Sequence, residues 1–208
     1  MPLQNLKIVG DGMVALWRIT ENEEMLSNLA GEAACPKEVV HVTKRLEWLA
    51  GRVTIKQLTE NMGFSYRGIE KDQFGKPFLT ALSYPISLSH SYPYVAAQIN
   101  TRHPVGIDVE QPHPKLLTIA QRVLNEEELQ DAGRNPVKHC IYWCAKEALY
   151  KIYGRRSLIF ARHLAVAPFR LHAEGALTGY IRSNEISEEI SLHYVVESDF
   201  VLVYSTSV

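Results

Sequence analysis

The stretch Val105-Gly106-Ile107-Asp108-Val109-Glu110 alternates apolar and polar side chains, which predicts a β-strand that Gln111-Pro112 brings to an end. Side chains two residues apart share one face of a strand, so Asp108 and Glu110 are expected side by side. Neighbouring carboxylates repel each other unless they are solvated or hold a hard cation. Two interpretations therefore stay open, an exposed polar face or a cation site. Gly106 permits a second backbone to approach the strand closely.

A second stretch, Trp143-Cys144-Ala145-Lys146-Glu147-Ala148-Leu149-Tyr150-Lys151, lies in a helix predicted for residues 137–153. Glu147 and Lys151 are four residues apart and so share one helical face. Alone, they would be an ordinary helix ion pair worth about 0.3–0.5 kcal/mol. Carboxylates on a strand combined with a Glu and a Lys on a later helix are instead what a magnesium diphosphate site needs, because magnesium takes carboxylate and phosphate oxygens.

The elements around these stretches predict an α+β fold. Helices and strands occur in both halves, and the predicted division gives an N-terminal half of residues 1–102 and a C-terminal half of residues 103–208. A helix over residues 37–58 is expected to be interrupted near Gly51. Further helices are expected at 115–124 and 126–132. The expected strands are 13–19, 85–91, 94–99, 163–168, 176–181, 189–196 and 200–204.

The composition narrows the class of protein. The chain has 208 residues, 46% of them hydrophobic and 22% charged, with a net charge of −1. This predicts a globular protein without the basic field that binds nucleic acid or membranes. The sequence carries neither a secretory signal pattern nor a membrane-length apolar run, so a cytoplasmic location is expected. Three cysteines argue against a disulfide framework, and Cys140 and Cys144 are expected to pack in a core rather than bind zinc.

The two stretches, in this order and at this separation, resemble the signature motifs of 4′-phosphopantetheinyl transferases of the monomeric, surfactin-synthetase-activating type. Three N-terminal segments agree with the same family: 45–52 (RLEWLAGR), 75–77 (GKP) and 89–91 (SHS). Residues 122–128 (RVLNEEE) resemble the segment that carries a family glutamate, Glu128 here. The resemblance implies two similar α+β subdomains related by a pseudo-twofold axis, each an antiparallel sheet packed with helices. It also implies coenzyme A bound between them.

The resemblance implies that Asp108, Glu110 and Glu147 hold Mg²⁺, for which Mn²⁺ is a possible substitute. Lys151 would bind a phosphate of coenzyme A, and Glu147 would help to deprotonate the carrier serine. With Asp108, these two residues form the implied catalytic set. The implied reaction moves 4′-phosphopantetheine from coenzyme A to an apo acyl or peptidyl carrier protein and releases 3′,5′-ADP. Lys146 is expected either to assist the leaving phosphate or to be a surface charge.

The implied coenzyme A ligands, besides Lys151, are Arg45, Arg52, Lys76, Ser89 and His90. Each has an ordinary structural alternative. The arginines can form a solvated helix face, Lys76 can belong to a turn, and His90 can be a structural strand residue. His90 and Lys76 rank first because their local motifs match best.

One departure from the family pattern lies at Gly154-Arg155-Arg156, where a Gly-x-Gly turn is common. It leaves the path of the loop after the helix and the carrier preference open. Two alternatives to the transferase are a carrier-binding module without catalysis and another magnesium-dependent diphosphate transferase or hydrolase. Asp108, Glu110, Glu147 and Lys151 are all present. A module that had lost catalysis would be expected to lose at least one of these charges, because clustered carboxylates without a cation are destabilising. The sequence does not identify the carrier or the pathway, and a monomer is expected.

Overall fold

The computed structural model describes residues 3–31, 35–155, 158–183 and 187–206. The chain divides into two compact units, Met1–His103 (unit 1) and Pro104–Val208 (unit 2). The division predicted from the sequence lies between residues 102 and 103. The roles that the resemblance implies stay predictions: coenzyme A binding in the N-terminal half, and the magnesium site with the catalytic helix in the C-terminal half. Each unit has a sheet and hydrophobic core residues of its own.

Unit 1 combines an antiparallel sheet with two helices and a short hairpin. In chain order its elements are β1 (Leu3–Val9), β2 (Gly12–Arg18), α1 (Glu23–Ala30), α2 (Val42–Asn61), β3 (Ile69–Lys71), β4 (Pro77–Leu79), β5 (Ile86–Ser91) and β6 (Tyr94–Asn100). The four-stranded sheet has the order β1-β2-β6-β5, and β3 pairs with β4.

The helix α2 packs against β6, β2 and β5 and buries Leu49, Val53 and Leu58. The predicted interruption near Gly51 is wrong, because the helix runs unbroken through this residue. A β-carbon at Gly51 would lie 3.6 Å from Cδ2 of Leu88, an ordinary packing distance. Packing against the sheet outweighs the helix-propensity cost of a glycine, about 1 kcal/mol.

Unit 2 has a five-stranded antiparallel sheet in which the first strand of the unit forms one edge. Its elements are β7 (Ile107–Glu110), α3 (Lys115–Val123), α4 (Glu126–Ala132), α5 (Pro136–Tyr153), α6 (Phe160–His163), β8 (Leu164–Val166), β9 (Glu174–Arg182), β10 (Ser187–Val196) and β11 (Val201–Ser205). The strand order is β7-β11-β10-β9-β8.

The long helix α5 has local start and stop signals at both ends. The Asn135 side chain accepts hydrogen bonds from the backbone of Val137 and Lys138, and Pro136 occupies the first turn. Gly154 ends the helix in the left-handed conformation, with a φ angle of 71°. Between these ends the helix buries an apolar face against β11 and β7. The sequence therefore fixes both the length of α5 and the face that meets the sheet.

The predicted α+β class is confirmed, since both units combine helices with an antiparallel sheet. The pseudo-twofold relation of the two halves stays a prediction. The edge strand β1 and the short helix α6 were not expected from the sequence. Among the described residues, no helix is long and apolar enough to cross a membrane.

Candidate active site

Gly106 lets the helix α5 approach the strand β7 at backbone distance. A β-carbon on Gly106 would lie 2.0 Å from the carbonyl oxygen of Ala148 and 2.9 Å from Cγ1 of Ile152. A larger residue would therefore push the helix away from the strand. The close approach that the sequence indicated is confirmed, and it brings the carboxylates of β7 near the part of α5 that carries Glu147.

An ion pair links the two elements at this point. Nζ of Lys151 lies 2.7 Å from Oδ1 of Asp108 and donates a second hydrogen bond, 2.8 Å long, to the carbonyl oxygen of Ile107. The Asp108 side chain is buried, whereas a quarter of the Lys151 side chain is exposed. The lysine of α5 therefore forms an ion pair with a carboxylate of the strand β7.

Glu147 has the most perturbed carboxylate of the site. Burial, followed by repulsion from Asp108, raises the pKa of Glu147 to about 7, although Lys151 opposes the rise and Glu110 adds to it. The strand carboxylates and Glu147 thus lie close enough to influence one another electrostatically. A carboxylate that titrates near neutral pH is suited to accept a proton during a reaction.

The donor set fits a hard divalent cation. Magnesium prefers carboxylate oxygens, and a divalent cation would relieve the repulsion that raises the pKa of Glu147. In the part of the chain that the structure describes, no three His, Cys, Asp or Glu side chains are already grouped as a metal site. Asp108 instead holds the Lys151 ammonium. The carboxylates are thus of the right chemistry, and they share one electrostatic environment.

Lys146 is not a surface charge, so that interpretation is wrong. Its side chain is completely buried, with Nζ 2.5 Å from Oε2 of Glu128 and 2.9 Å from the carbonyl oxygen of Val123. A longer hydrogen bond, 3.5 Å, reaches the carbonyl oxygen of Phe160. Burial lowers the pKa of Lys146, and the Glu128 charge opposes that shift. The ammonium therefore fastens α5 to its neighbours and points away from solvent.

Glu128, the glutamate that the resemblance singled out, is the buried partner in this network. Its Oε2 accepts a hydrogen bond from the backbone of Asn125, which completes a capping box at the start of α4. Its Oε1 accepts one from the backbone of Val166 in β8. One carboxylate thus ties α4, β8 and α5 together behind the helix segment that presents Glu147.

The cysteines of α5 pack beneath the carboxylate strand. Cys140 and Cys144 are completely buried free thiols, which agrees with the predicted core packing. The Cys140 thiol lies 3.8 Å from the carbonyl oxygen of Glu110. Burial raises the pKa of the Cys144 thiol well above its usual value, so this thiol stays neutral.

In unit 1 the predicted coenzyme A ligand His90 lies on β5 with about half of its side chain exposed. Its Nδ1 lies 3.3 Å from Oε2 of Glu47, a buried carboxylate of α2 that also binds Lys44. Ser89, the neighbouring candidate, is largely buried. The structure therefore places His90 at the surface with a defined partner behind it.

The other three candidates of unit 1 have different surroundings. One edge of the Arg45 guanidinium binds Glu23, with Nε 2.8 Å from Oε2 and Nη2 donating to Oε1. The guanidinium of Arg52 stacks on the Trp48 ring, 3.2 Å from its centroid. Lys76 lies in a turn closed by Asp72, and burial lowers the pKa of Lys76 while Asp72 opposes the shift. Arg45 is thus committed to an ion pair within its own unit.

Glu47 was not predicted from the sequence, although it contacts His90 in the structure. It lies inside the RLEWLAGR segment, which was interpreted through its arginines alone. The available signal was an acidic residue three positions after Lys44, in a helix turn otherwise built of apolar and basic side chains. The departure at Gly154-Arg155-Arg156 falls partly outside the described residues, because Arg156 is not among them.

Comparisons with known proteins agree with this geometry. The family model of the 4′-phosphopantetheinyl transferase superfamily matches residues 104–205, almost all of unit 2. This segment is similar to that superfamily, and the resemblance stated from the motifs is confirmed.

Three curated relatives are similar to part of the chain. The 4′-phosphopantetheinyl transferase psf-1 of Bacillus pumilus is 35% identical over 92 residues, 41% of this chain and 39% of its own. A 4′-phosphopantetheinyl transferase of Bacillus subtilis is 29% identical over 89 residues, 40% of this chain and 39% of its own. The transferase gsp of Aneurinibacillus migulanus is 32% identical over 90 residues, 41% of this chain and 37% of its own. The matches thus span less than two fifths of each relative.

Proposed function

We propose that the protein transfers the 4′-phosphopantetheine group of coenzyme A to a serine of an apo acyl or peptidyl carrier protein and releases 3′,5′-ADP. The observation that carries this proposal is the convergence of Asp108, Glu147 and Lys151 in the family-matched unit, with Glu110 close enough to act on the same carboxylate. The names of the relatives support the same reaction.

Asp108, Glu110 and Glu147 are the residues that would hold magnesium, and manganese is expected to substitute for it. The cation, when bound, supplies positive charge to the diphosphate oxygens and so stabilises the charge that develops on the leaving group. The elevated pKa of Glu147 supports this assignment, because a bound cation would offset the repulsion among the clustered carboxylates.

The chain's own residues would bind the phosphate and move the proton. Lys151, partly exposed at the end of α5, supplies a point charge for a phosphate oxygen. Glu147 takes the proton of the carrier serine, directly or through water, and the serine oxygen attacks the β-phosphate. A new P–O bond forms, and the bond between the β-phosphate and the 3′,5′-ADP portion breaks.

His90, Lys76, Ser89, Arg52 and Arg45 are the proposed coenzyme A ligands of unit 1. The exposed ring of His90 supports its place in this set, and the ion pair of Arg45 with Glu23 favours a supporting role for that arginine. The protein would act as a monomer. Its three buried free cysteines are in keeping with a cytoplasmic location.

The experiment that tests this function measures 3′,5′-ADP release from coenzyme A in the presence of apo-carrier. Release should require the carrier, stop with a chelator and resume when magnesium or manganese is added. An alternative diphosphate hydrolase would release product without the carrier. Full release in metal-free buffer would overturn the metal assignment.

A further inference from the structure

The turn of α5 that carries Glu147 is held on two sides by the residues that flank it. On one side, a β-carbon at Gly106 would lie 2.0 Å from the carbonyl oxygen of Ala148, so the backbone next to β7 lies directly against the helix backbone. On the other side, the buried Lys146 ammonium lies 2.5 Å from Oε2 of Glu128 in α4. Successive residues of an α-helix are about 100° apart around its axis. Residues 146 and 148 are therefore about 200° apart, on nearly opposite sides of α5.

The Lys146–Glu128 ion pair, called the inner pair below, connects α5 with four other elements. The Lys146 ammonium donates hydrogen bonds to the carbonyl oxygens of Val123 in α3 and Phe160 in α6, 2.9 Å and 3.5 Å long. Glu128 itself lies in α4 and accepts a hydrogen bond, 2.8 Å long, from the backbone of Val166 in β8. Movement of α5 at residue 146 would therefore break several buried contacts at once.

The position of the Glu147 carboxylate relative to β7 depends on how closely α5 lies to the strand and on how the helix is rotated about its axis. The backbone contact of Ala148 with Gly106 limits the approach. The buried contacts of Lys146 on the opposite side oppose rotation and movement away from the strand. Such control matters for a reacting group, because a misplacement of about 1 Å can reduce a rate about 10²-fold.

A second ion pair, called the outer pair below, connects the same two helices farther from Glu147. Nζ of Lys138 lies 2.7 Å from Oδ2 of Asp131, which also accepts a hydrogen bond from the Tyr142 hydroxyl. Both members of the outer pair are partly exposed. Lys138 precedes Glu147 by nine residues, about 13.5 Å along a helix that rises 1.5 Å per residue. The outer pair therefore joins α4 to α5 without adjoining the turn that carries Glu147.

We propose that Lys146 and Glu128 are positioning residues that fix the distance between Glu147 and the carboxylates of β7. This inference rests on the proposed function, since that function makes Glu147 a metal ligand and a proton acceptor. It assigns the inner pair no contact with metal or substrate. The effect of the pair reaches the site through the backbone of α5.

The test removes the inner pair with the double variant Glu128→Gln, Lys146→Met, which leaves no unpaired buried charge. Binding of Mn²⁺ alone, measured by calorimetry, should weaken about tenfold or more, as it does when residues that orient metal ligands are changed. The kcat for carrier modification should fall about 10²-fold, whereas KM for coenzyme A should stay unchanged. A loss of folded protein alone would lower the number of active molecules and would leave the Mn²⁺ affinity of the remaining ones unchanged.

The matched control removes the outer pair with Asp131→Asn, Lys138→Met. It makes the same chemical changes between the same two helices and should also lower the free energy of unfolding. It should nevertheless keep the wild-type Mn²⁺ affinity and kcat. Wild-type Mn²⁺ affinity in the inner-pair variant would overturn the proposal, and so would equal losses of affinity in the two variants.

Hydrogen exchange of the backbone amides of residues 145–149, followed by NMR, needs neither metal nor substrate. In the wild-type protein these amides should exchange only through global unfolding, because their helix turn is held on both sides. In the inner-pair variant they should exchange faster than the amides of residues 137–141, through local opening. Local opening of residues 145–149 in the wild-type protein would overturn the proposal even if the variant failed to fold. Failure of the proposed function would appear differently, as absence of carrier modification by the wild-type protein.

Discussion

Lys146 and Lys151 lie five positions apart on the same helix, and each ammonium binds a carboxylate, yet the two pairs differ in burial and in the charges around them. Lys146 and Glu128 are both completely buried, and backbone groups satisfy their remaining hydrogen-bonding capacity. Lys151 is partly exposed, and its partner Asp108 shares its surroundings with Glu147, whose pKa is raised to about 7.

The difference separates a structural pair from a site that can bind and react. A buried, fully hydrogen-bonded pair holds its neighbours in place but has nothing left to offer a ligand. An electrostatically frustrated cluster of carboxylates beside an accessible lysine can gain free energy by taking a cation and a phosphate. Lys146 is adjacent to Glu147 in the sequence, so the structural pair holds the helix turn that carries Glu147.

The largest expected effect in this comparison is that of Glu147→Gln. It removes the proposed proton acceptor and one metal ligand without changing side-chain size, so kcat for carrier modification should fall by about 10²–10⁴-fold. Steady-state kinetics of carrier modification measure the loss, and circular dichroism should show an unchanged fold. A variant with wild-type kcat would remove Glu147 from the mechanism.

Lys146→Met should act on stability. It leaves the Glu128 carboxylate buried without its cation, which costs about 3–5 kcal/mol in similar cases. Urea unfolding should show this loss in the free energy of unfolding. Lys151→Met is the matched control on the same helix and should lose less, because Lys151 is partly exposed. Equal losses in the two variants would contradict the distinction between the two pairs.

The pH dependence of stability should expose the repulsion around Glu147. Its pKa is raised from 4.5 to about 7 in the folded protein, so ionisation disfavours folding and stability is lost as the pH rises across this range. Melting temperatures of metal-free wild-type protein and Glu147→Gln should agree near about pH 4 and diverge up to about pH 7, with the variant more stable. Magnesium should narrow the gap by stabilising only the wild-type protein. If the difference in melting temperature did not change with pH, the pKa of Glu147 would not be raised by its surroundings.

The smallest effect is expected at the carrier surface. Lys115 and Arg122 are exposed on α3, beyond the carboxylate strand. The double variant Lys115→Glu, Arg122→Glu should raise KM for an acidic carrier severalfold at low salt and leave KM for coenzyme A unchanged. Lys37→Glu with Arg134→Glu makes the same charge change at other exposed positions and serves as control. An unchanged carrier KM would move the docking surface elsewhere, for example to Arg155.

The sequence predicted most of the fold because its elements carry local signals. The Asn135-Pro136 start and the Gly154 end define α5, and alternation defines β7. The strand β1 was not predicted because its apolar residues do not alternate regularly. A register shift lies between Leu3 and Asn5, and Leu6 is partly buried whereas Ile8 is exposed. The predicted interruption at Gly51 was wrong because the helix-propensity cost of one glycine is small compared with the free energy gained when α2 packs on the sheet.

The site was predictable in its residue types but not in its pairings. The spacing of the motifs and the family resemblance together predict that Asp108, Glu110, Glu147 and Lys151 form one site. Nothing in the spacing distinguishes buried Lys146 from partly exposed Lys151, since burial depends on Glu128 and the carbonyl groups that accept from the Lys146 ammonium. Glu47 was missed for the same reason, because its partner His90 lies on a strand far along the chain.

The most direct test of the central claim is the intact mass of an apo-carrier protein after incubation with coenzyme A, magnesium and this protein. The account predicts that the carrier gains the mass of one phosphopantetheine group. The gain should vanish with a carrier whose acceptor serine is replaced by alanine, and under the same conditions it should be strongly slowed with Glu147→Gln. Failure of acyl and peptidyl carriers alike to gain this mass, or an undiminished gain with Glu147→Gln, would contradict the account.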